Sequence, residues 1–130
     1  KIEIDSNTTI VKIEFTLTSC IILLSNGKVL TRGKIQDVTL GREANIENVK
    51  KFKQIYFTEE KKSEENAQEI FIYNICAGEE HVLALDNDMR IWGWGKNDLK
   101  QVDPYSKVEE IKYPQLIKSP SDAKIILKKF

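Results

Sequence analysis

The sequence predicts an all-β chain made of two successive four-stranded units. Three observations carry that expectation. A stretch near the N-terminus recurs 61 to 62 residues later. The apolar segments are short runs rich in Ile, Val, Leu and Phe, separated by Asn-, Asp- and Gly-containing turns. The run from His81 to Leu85 is apolar on both faces, with His81, Leu83 and Leu85 on one side and Val82 and Ala84 on the other. Such a strand is covered on both sides.

Each element has a counterpart. Ile10 to Phe15 opens the first unit, and Ile10-Val11-Lys12-Ile13 parallels Ile72-Tyr73-Asn74-Ile75. For the second strand an offset of 61 places Cys20 on His81 and Ile22 and Leu24 on Leu83 and Leu85. After the Ser25-Asn26 turn the offset is 62: Lys28-Val29 falls on Arg90-Ile91, Arg32 on Trp94, and Gly33-Lys34 on Gly95-Lys96. Gly27 supplies the positive φ its turn needs. In Asp86-Asn87-Asp88-Met89 that place holds Met89, so the left-handed residue is expected at Asn87 or Asp88. Within Arg42 to Gln54, the spacing of Ala44, Ile46, Val49 and Phe52 allows one or two helical turns. Residues 53–57 then parallel 113–117, which gives approximate repeats at 10–57 and 70–117. Residues 59–69 form a charged inter-repeat insertion, expected to be solvated and a plausible partner contact, and residues 124–130 look like the first strand of a further unit. The expected core contains His81, Leu83, Leu85, Trp94, Ile22 and Leu24.

The twenty Lys+Arg cancel the twenty Asp+Glu, so no net field draws the chain to nucleic acid or an anionic membrane. The lysine clusters are interleaved with glutamates, and no nucleic-acid partner is expected. With 41% hydrophobic and 31% charged residues the 130-residue chain has the makings of one folded domain or part of a larger one. Its longest apolar run, Cys20 to Leu24, is far short of the roughly 20 residues of a membrane helix, so no membrane span is expected. Lys1 stands where a start Met would be, the first residues lack a signal-peptide layout, and the native start is expected to lie elsewhere. Cys20 and Cys76 sit in apolar strands and read as buried thiols of an intracellular protein, cytoplasmic or nuclear.

The segment Ile75-Cys76-Ala77-Gly78-Glu79-Glu80-His81-Val82-Leu83-Ala84-Leu85, followed by Arg90-Ile91-Trp92-Gly93-Trp94-Gly95-Lys96-Asn97-Asp98 and Gln101-Val102, resembles the repeat of the regulator of chromosome condensation family. That repeat has Gly and His ahead of a Leu-Ala-Leu strand, a Gly turn, an apolar pair, Trp-Gly, Asn, and Gln-Leu-Gly. The second unit departs from it at Met89, Lys100 and Asp103, each in the place of a glycine. The first unit has Cys20 for the histidine and Arg32 for the tryptophan but keeps Gly27, Gly33, Leu40 and Gly41. The resemblance implies a β-propeller fragment of about two four-stranded blades, from a family whose closed ring has about seven. It also implies that Gly27, Gly33, Leu40, Gly41, Gly78, His81, Leu83, Leu85, Trp94 and Gly95 are a structural signature. Trp94 would pack between blades and His81 would bond to backbone. The remaining blades, from the same polypeptide or another chain, would cover the outer faces.

Catalytic constellations are thin. His81 is the single histidine, so a Cys-His pair has no good candidate, and two cysteines with one histidine make no zinc site. Gly93-Trp94-Gly95 lacks the following Gly-Lys-Ser/Thr of a phosphate loop. The paired glutamates point to opposite faces or into solvent. No catalytic, cofactor-binding or metal residue is expected. The expected function is a non-enzymatic protein-protein interaction scaffold with an unidentified protein partner. The alternatives are guanine-nucleotide exchange on a small GTPase, which the family resemblance implies, and a structural subunit of a large assembly.

Overall fold

The computed structural model describes residues 5–58 and 70–117. Aliphatic and β-branched runs form the strands. These are β1 (Ile10–Phe15), β2 (Cys20–Leu24), β3 (Val29–Arg32) and β4 (Lys53–Ile55), then β5 (Ile72–Ala77), β6 (His81–Asp86), β7 (Ile91–Lys96) and β8 (Glu110–Ile117). Each group of four makes one antiparallel sheet, in the order β1-β2-β3-β4 and β5-β6-β7-β8. Among the described residues the one helical element is a 3-10 turn, Val38–Leu40. The helical turns allowed within Arg42 to Gln54 reduce to one, in which the Val49 amide donates to the Asn45 carbonyl at 3.0 Å. The Arg42 guanidinium takes the carbonyls of Asn48 and Lys51, and the Asn45 side chain takes the amides of Glu47 and Asn48. Side-chain bonds of this kind compete with a helical ladder.

The strand register is the same in both units. Ile10 faces Leu24 as Ile72 faces Asp86, Ile13 faces Ile22 as Ile75 faces Ala84, and Val29 faces Ile55 as Ile91 faces Ile117. Both first strands carry an irregularity at the same place, Ile10/Lys12 and Ile72/Asn74. One offset of 62 residues therefore relates the units throughout, which corrects the alignment read from the sequence. Ser19, not Cys20, stands at the position of His81, and Ile21 and Leu23, not Ile22 and Leu24, stand at Leu83 and Leu85. Lys53 and Ile55 match Gln115 and Ile117. A strand apolar on both faces hides a one-residue slip, because apolar still lies on apolar after it.

The same offset moves the left-handed turn residue. The Gly27 amide bonds the Leu24 carbonyl and the Met89 amide bonds the Asp86 carbonyl, at 2.9 and 3.1 Å. Gly27 has φ 82° and Met89 φ 62°, so Met89 itself, rather than Asn87 or Asp88, is left-handed. The Asp86 carboxylate fixes the turn by accepting the amides of Asp88 and Arg90 at 2.8 and 2.9 Å. Lys100 likewise has φ 60°.

The sheets pack face to face. Ile21, Leu23, Val29 and Ile55 of the first meet Ile72, Ile75, Val82, Ala84, Trp92 and Trp94 of the second, with Phe57 and Val102 in the same core. Ile22, Leu24 and Leu30 lie on the far side of the first sheet, and Leu83, Leu85 and Ile91 on the far side of the second. Equivalent residues thus lie on the same face of each sheet: Ile21 and Leu23 face the second sheet, and Leu83 and Leu85 occupy the corresponding face of the second sheet, away from the first. Polar bonds tie the inner strands together. Lys12 Nζ reaches Asn74 Oδ1 at 3.1 Å and the Ile75 carbonyl at 2.6 Å, and Glu14 Oε1 accepts the Ala77 amide at 2.8 Å. Ile22, Leu24, Leu83, Leu85 and Trp94 are buried, whereas His81, expected in the core, is half-buried at the end of its strand. The segments 59–69 and 124–130 lie outside the described residues.

Met89→Gly and Lys100→Gly are each expected to stabilise the fold, by about 0.5–1 kcal/mol, because a Cβ is strained at positive φ. A rise in the denaturant midpoint of each variant checks this, and a fall would show that the lost side chain matters more than the strain.

Candidate interaction surface

The seam between the sheets is organised by Trp94. Its indole is fully buried, lies edge-on to Phe57 at 5.8 Å, and donates from Nε1 to the Thr39 carbonyl of the other sheet's 3-10 turn at 2.9 Å. Gly41 makes this approach possible. It has φ 69°, and a Cβ there would stand 3.0 Å from the indole nitrogen. A buried indole N–H without an acceptor would cost about 1–3 kcal/mol.

A hydroxyl network holds Thr39 in place. Thr39 Oγ1 donates to Asp37 Oδ1 at 2.6 Å and shares bonds with Ser19 and Thr16 at 2.7 and 3.0 Å. Asp37 also caps the turn by accepting the Thr39 amide at 2.9 Å and binds Thr18 at 2.7 Å. Ser19, at the position that His81 holds in the second unit, is therefore a member of the seam.

Three more buried polar side chains shape the loops. Arg42 reaches the carbonyls of Thr31, Glu43, Asn48 and Lys51, the Thr31 hydroxyl and Asn48 Oδ1, at 3.0 to 3.4 Å. Burial lowers its pKa below the ordinary 12.5. Asn97 accepts the amides of Val102 and Asp103 and donates to the carbonyls of Asp103 and Val108, at 2.8 to 3.1 Å, so it holds the 98–108 loop. Asp86 binds Arg90 Nε at 2.8 Å and Trp92 Nε1 at 3.0 Å besides its two turn amides. Burial pushes the Asp86 carboxyl up, but the Trp92, Arg90 and Asp88 hydrogen bonds outweigh it and hold the group below 3.8.

Along the seam the 33–44 loop leaves a groove. One part, about 440 Å³, has Ile35, Val38, Leu40 and Ala44 beside Gln36, Asp37, Arg42, Glu43, Glu110 and Lys112. A second part, about 270 Å³, shares Ile35 to Val38 and Glu110 and adds Leu17, Thr18, Glu79, Glu80 and Lys96. One ion pair crosses the seam here, Lys112 to Glu43 at 2.6 Å, and another, Lys96 to Glu80 at 3.3 Å, lies within the second unit. Tyr113 also donates to Glu43 at 2.6 Å; burial and then that bond push its pKa up to about 12. The Lys112 and Tyr113 bonds lower Glu43. Among the described residues no group of His, Cys, Asp and Glu could hold a metal ion.

The signature residues do not gather at one site. Leu40, Gly41 and Trp94 meet at the seam. Gly33 sits beside Asp37 and Ser19, Gly78 beside the His81 ring, and Gly95 against the Glu80 carbonyl, all at strand ends, while Gly27 lies under Phe71 and Leu83 and Leu85 face away from the seam. No motif or spacing in the sequence marks Thr39, Ser19 or Arg42 for these roles. Asn97 was visible only as a motif letter.

Residues 72–101 match the sequence profile of the regulator of chromosome condensation (RCC1) repeat. The chain has the fold of RCC1-like β-propellers, with one four-stranded sheet for each blade. Human WBSCR16 is similar at 23% identity over 92% of this chain and 29% of its own, with a TM-score of 0.68. Prp20p from Saccharomyces cerevisiae, in a structure described with its binding properties to Gsp1p and histones, is similar at 17% over 92% and 28%, TM-score 0.66. Yeast RCC1 (Prp20) bound to Kap60 gives 18% over 92% and 27%, TM-score 0.65. This chain thus spans under a third of the length of those structures. A search of curated proteins returns no match.

Two outcomes are expected from substitutions at the seam. Trp94→Phe keeps most of the apolar surface but orphans the Thr39 carbonyl, and should lower stability by about 1–2 kcal/mol in chemical denaturation. Asp86, held below its ordinary pKa, contributes stability that is present above about pH 4 and is lost as pH falls through the folded value. Asp86→Asn should therefore flatten the acid limb of a plot of stability against pH, and an unchanged limb would assign the acid sensitivity elsewhere.

Proposed function

We propose that this chain is a non-catalytic protein-interaction module, part of an RCC1-like propeller whose loops along the inter-sheet seam receive a protein partner. The groove beside the 3-10 turn carries this reading. It places exposed Ile35 and Leu17 among charged side chains, on a loop whose base is fixed by the Trp94–Thr39 bond. An apolar patch with a charged rim on a rigid base is what a protein partner recognises. The similarity to Prp20p, described with Gsp1p, histones and Kap60, supports a protein as the ligand. Cys20 and Cys76 form no disulfide, which suits an intracellular setting.

The second reading is guanine-nucleotide exchange on a small GTPase, favoured by the resemblance of the repeat and by the Gsp1p binding recorded for Prp20p. The two readings separate in one pair of measurements. A photo-crosslinker placed at residue 35 should capture a discrete protein partner that the same label at residue 28 does not, while added chain leaves nucleotide release from a loaded small GTPase at its spontaneous rate. Accelerated release would establish the exchange reading instead. Equal capture from both positions would remove the groove from consideration.

A further inference from the structure

The groove beside the 3-10 turn lies within the seam, and both of its walls belong to the described residues. The strand register puts Ile10, Leu24 and Ile55 of the first sheet at one end, with Ile72, Asp86 and Ile117 at the same end of the second. The chain enters and leaves both sheets there. The groove opens at the opposite end, where the β1–β2 turn and the 33–44 loop meet the β5–β6 turn and the start of β8. A backbone bond fixes the two walls to each other: the Leu17 amide donates to the Glu79 carbonyl at 2.8 Å.

The chain as a whole is neutral, but this groove is not. Among the described residues its narrower part carries four carboxylates, Asp37, Glu79, Glu80 and Glu110, against two ammonium groups, Lys34 and Lys96. Lys96 is taken by Glu80 at 3.3 Å. Asp37 is held by neutral donors, the Thr18 and Thr39 hydroxyls and the Thr39 amide, which leave its charge in place. In the wider part Lys112 is taken by Glu43, and the buried Arg42 guanidinium is turned into the carbonyls of its own loop. What remains toward the opening is Asp37 on one wall and Glu79 and Glu110 on the other, against Lys34. Between them lie apolar side chains, of which Leu17 and Ile35 are 67% and 45% exposed. An excess of one charge around an apolar floor attracts a segment of the opposite charge that also brings an apolar side chain.

We propose that this groove receives a segment of a partner protein in which an apolar side chain is flanked by lysine or arginine, the apolar side chain resting on Leu17 and Ile35 and the cations turned toward Asp37, Glu79 and Glu110. The proposal rests on the reading of the groove as a protein-binding site and adds the chemistry of the segment bound. The apolar contact supplies the anchor. The carboxylates select by sign, since a lysine or arginine gains a charge-assisted bond while an acidic segment meets like charge. Glu79 and Glu110 are exposed, so their field acts on the rate of encounter and on selectivity more than on the final affinity.

Selection of short random peptides displayed on phage against the 130-residue chain tests this. The recovered sequences should join an apolar residue to lysine or arginine. Synthetic copies, followed by fluorescence anisotropy, should bind about tenfold or more weakly to Ile35→Ser and to the double variant Glu79→Gln with Glu110→Gln, and equally well to Lys28→Gln at the other end of the sheet. Raising salt from about 0.05 to about 0.5 M should weaken binding to the parent chain, a readout that needs no variant. Ile35, Glu79 and Glu110 are exposed, and circular dichroism of each variant separates lost binding from lost folding. Peptides that depend on Ile35 but are acidic or uncharged, or that bind the double variant as tightly as the parent, would overturn the basic-segment proposal and leave the protein-binding reading standing. Recovery of no peptide that depends on Ile35 would remove the groove, and both readings of it with it.

Discussion

The contact between the Trp94 indole and the Thr39 carbonyl is the constraint on which the arrangement of the two sheets depends. Apolar faces alone would let the sheets slide, because a layer of Ile, Leu and Val offers many registers of similar energy. The directional bond buried among Phe57, Trp92 and Ile55 removes that freedom, together with the Lys12 and Glu14 bonds to the second sheet. It also dictates composition at a distance. Gly41 must lack a side chain, Leu40 must be buried beneath the turn, and Thr39 must be held by Asp37 and Ser19 so that its carbonyl points across the seam.

Polar side chains elsewhere follow the same logic of full satisfaction. No buried side-chain nitrogen or oxygen among the described residues lacks a hydrogen-bond partner. Arg42 is the extreme case, since its guanidinium is stabilised by carbonyl and amide oxygens of its own loop. Asn97 does the equivalent service for the 98–108 loop with four bonds. Long loops are thereby tied to short strands.

The two units share a backbone plan while their sequences diverge, and the divergence is concentrated where the surroundings differ. Trp94 is enclosed by a neighbouring sheet, whereas its equivalent Arg32 is exposed, with its guanidinium over the Phe52 ring. Ser19 replaces the histidine at a point where the adjoining turn supplies hydroxyl partners. Met89 and Lys100 retain left-handed geometry without glycine because the bonds around them over-determine the turn. Binding properties on such a scaffold reside in loops and outward faces rather than in the strand core.

The strands and their grouping were legible from the sequence, because short apolar runs with turns between them can satisfy backbone hydrogen bonds only by pairing with neighbours. The repeat was legible for the same reason, and Gly27, Gly41 and Trp94 stood out as residues whose size or backbone freedom is exceptional. What escaped was register. Cys20 to Leu24 is apolar at every position, so pairing it with β6 one residue out of step carried no visible penalty, and only the ladder of bonds to β1 and β3 fixes Ser19 opposite His81's place. Equally hidden were the tasks of Thr39 and Arg42, which depend on groups that meet in space after the loop has folded. Local chemistry determined which segments become strands and turns; the tertiary structure decided which faces meet and which polar groups find each other, since both depend on distances that no spacing along the chain encodes.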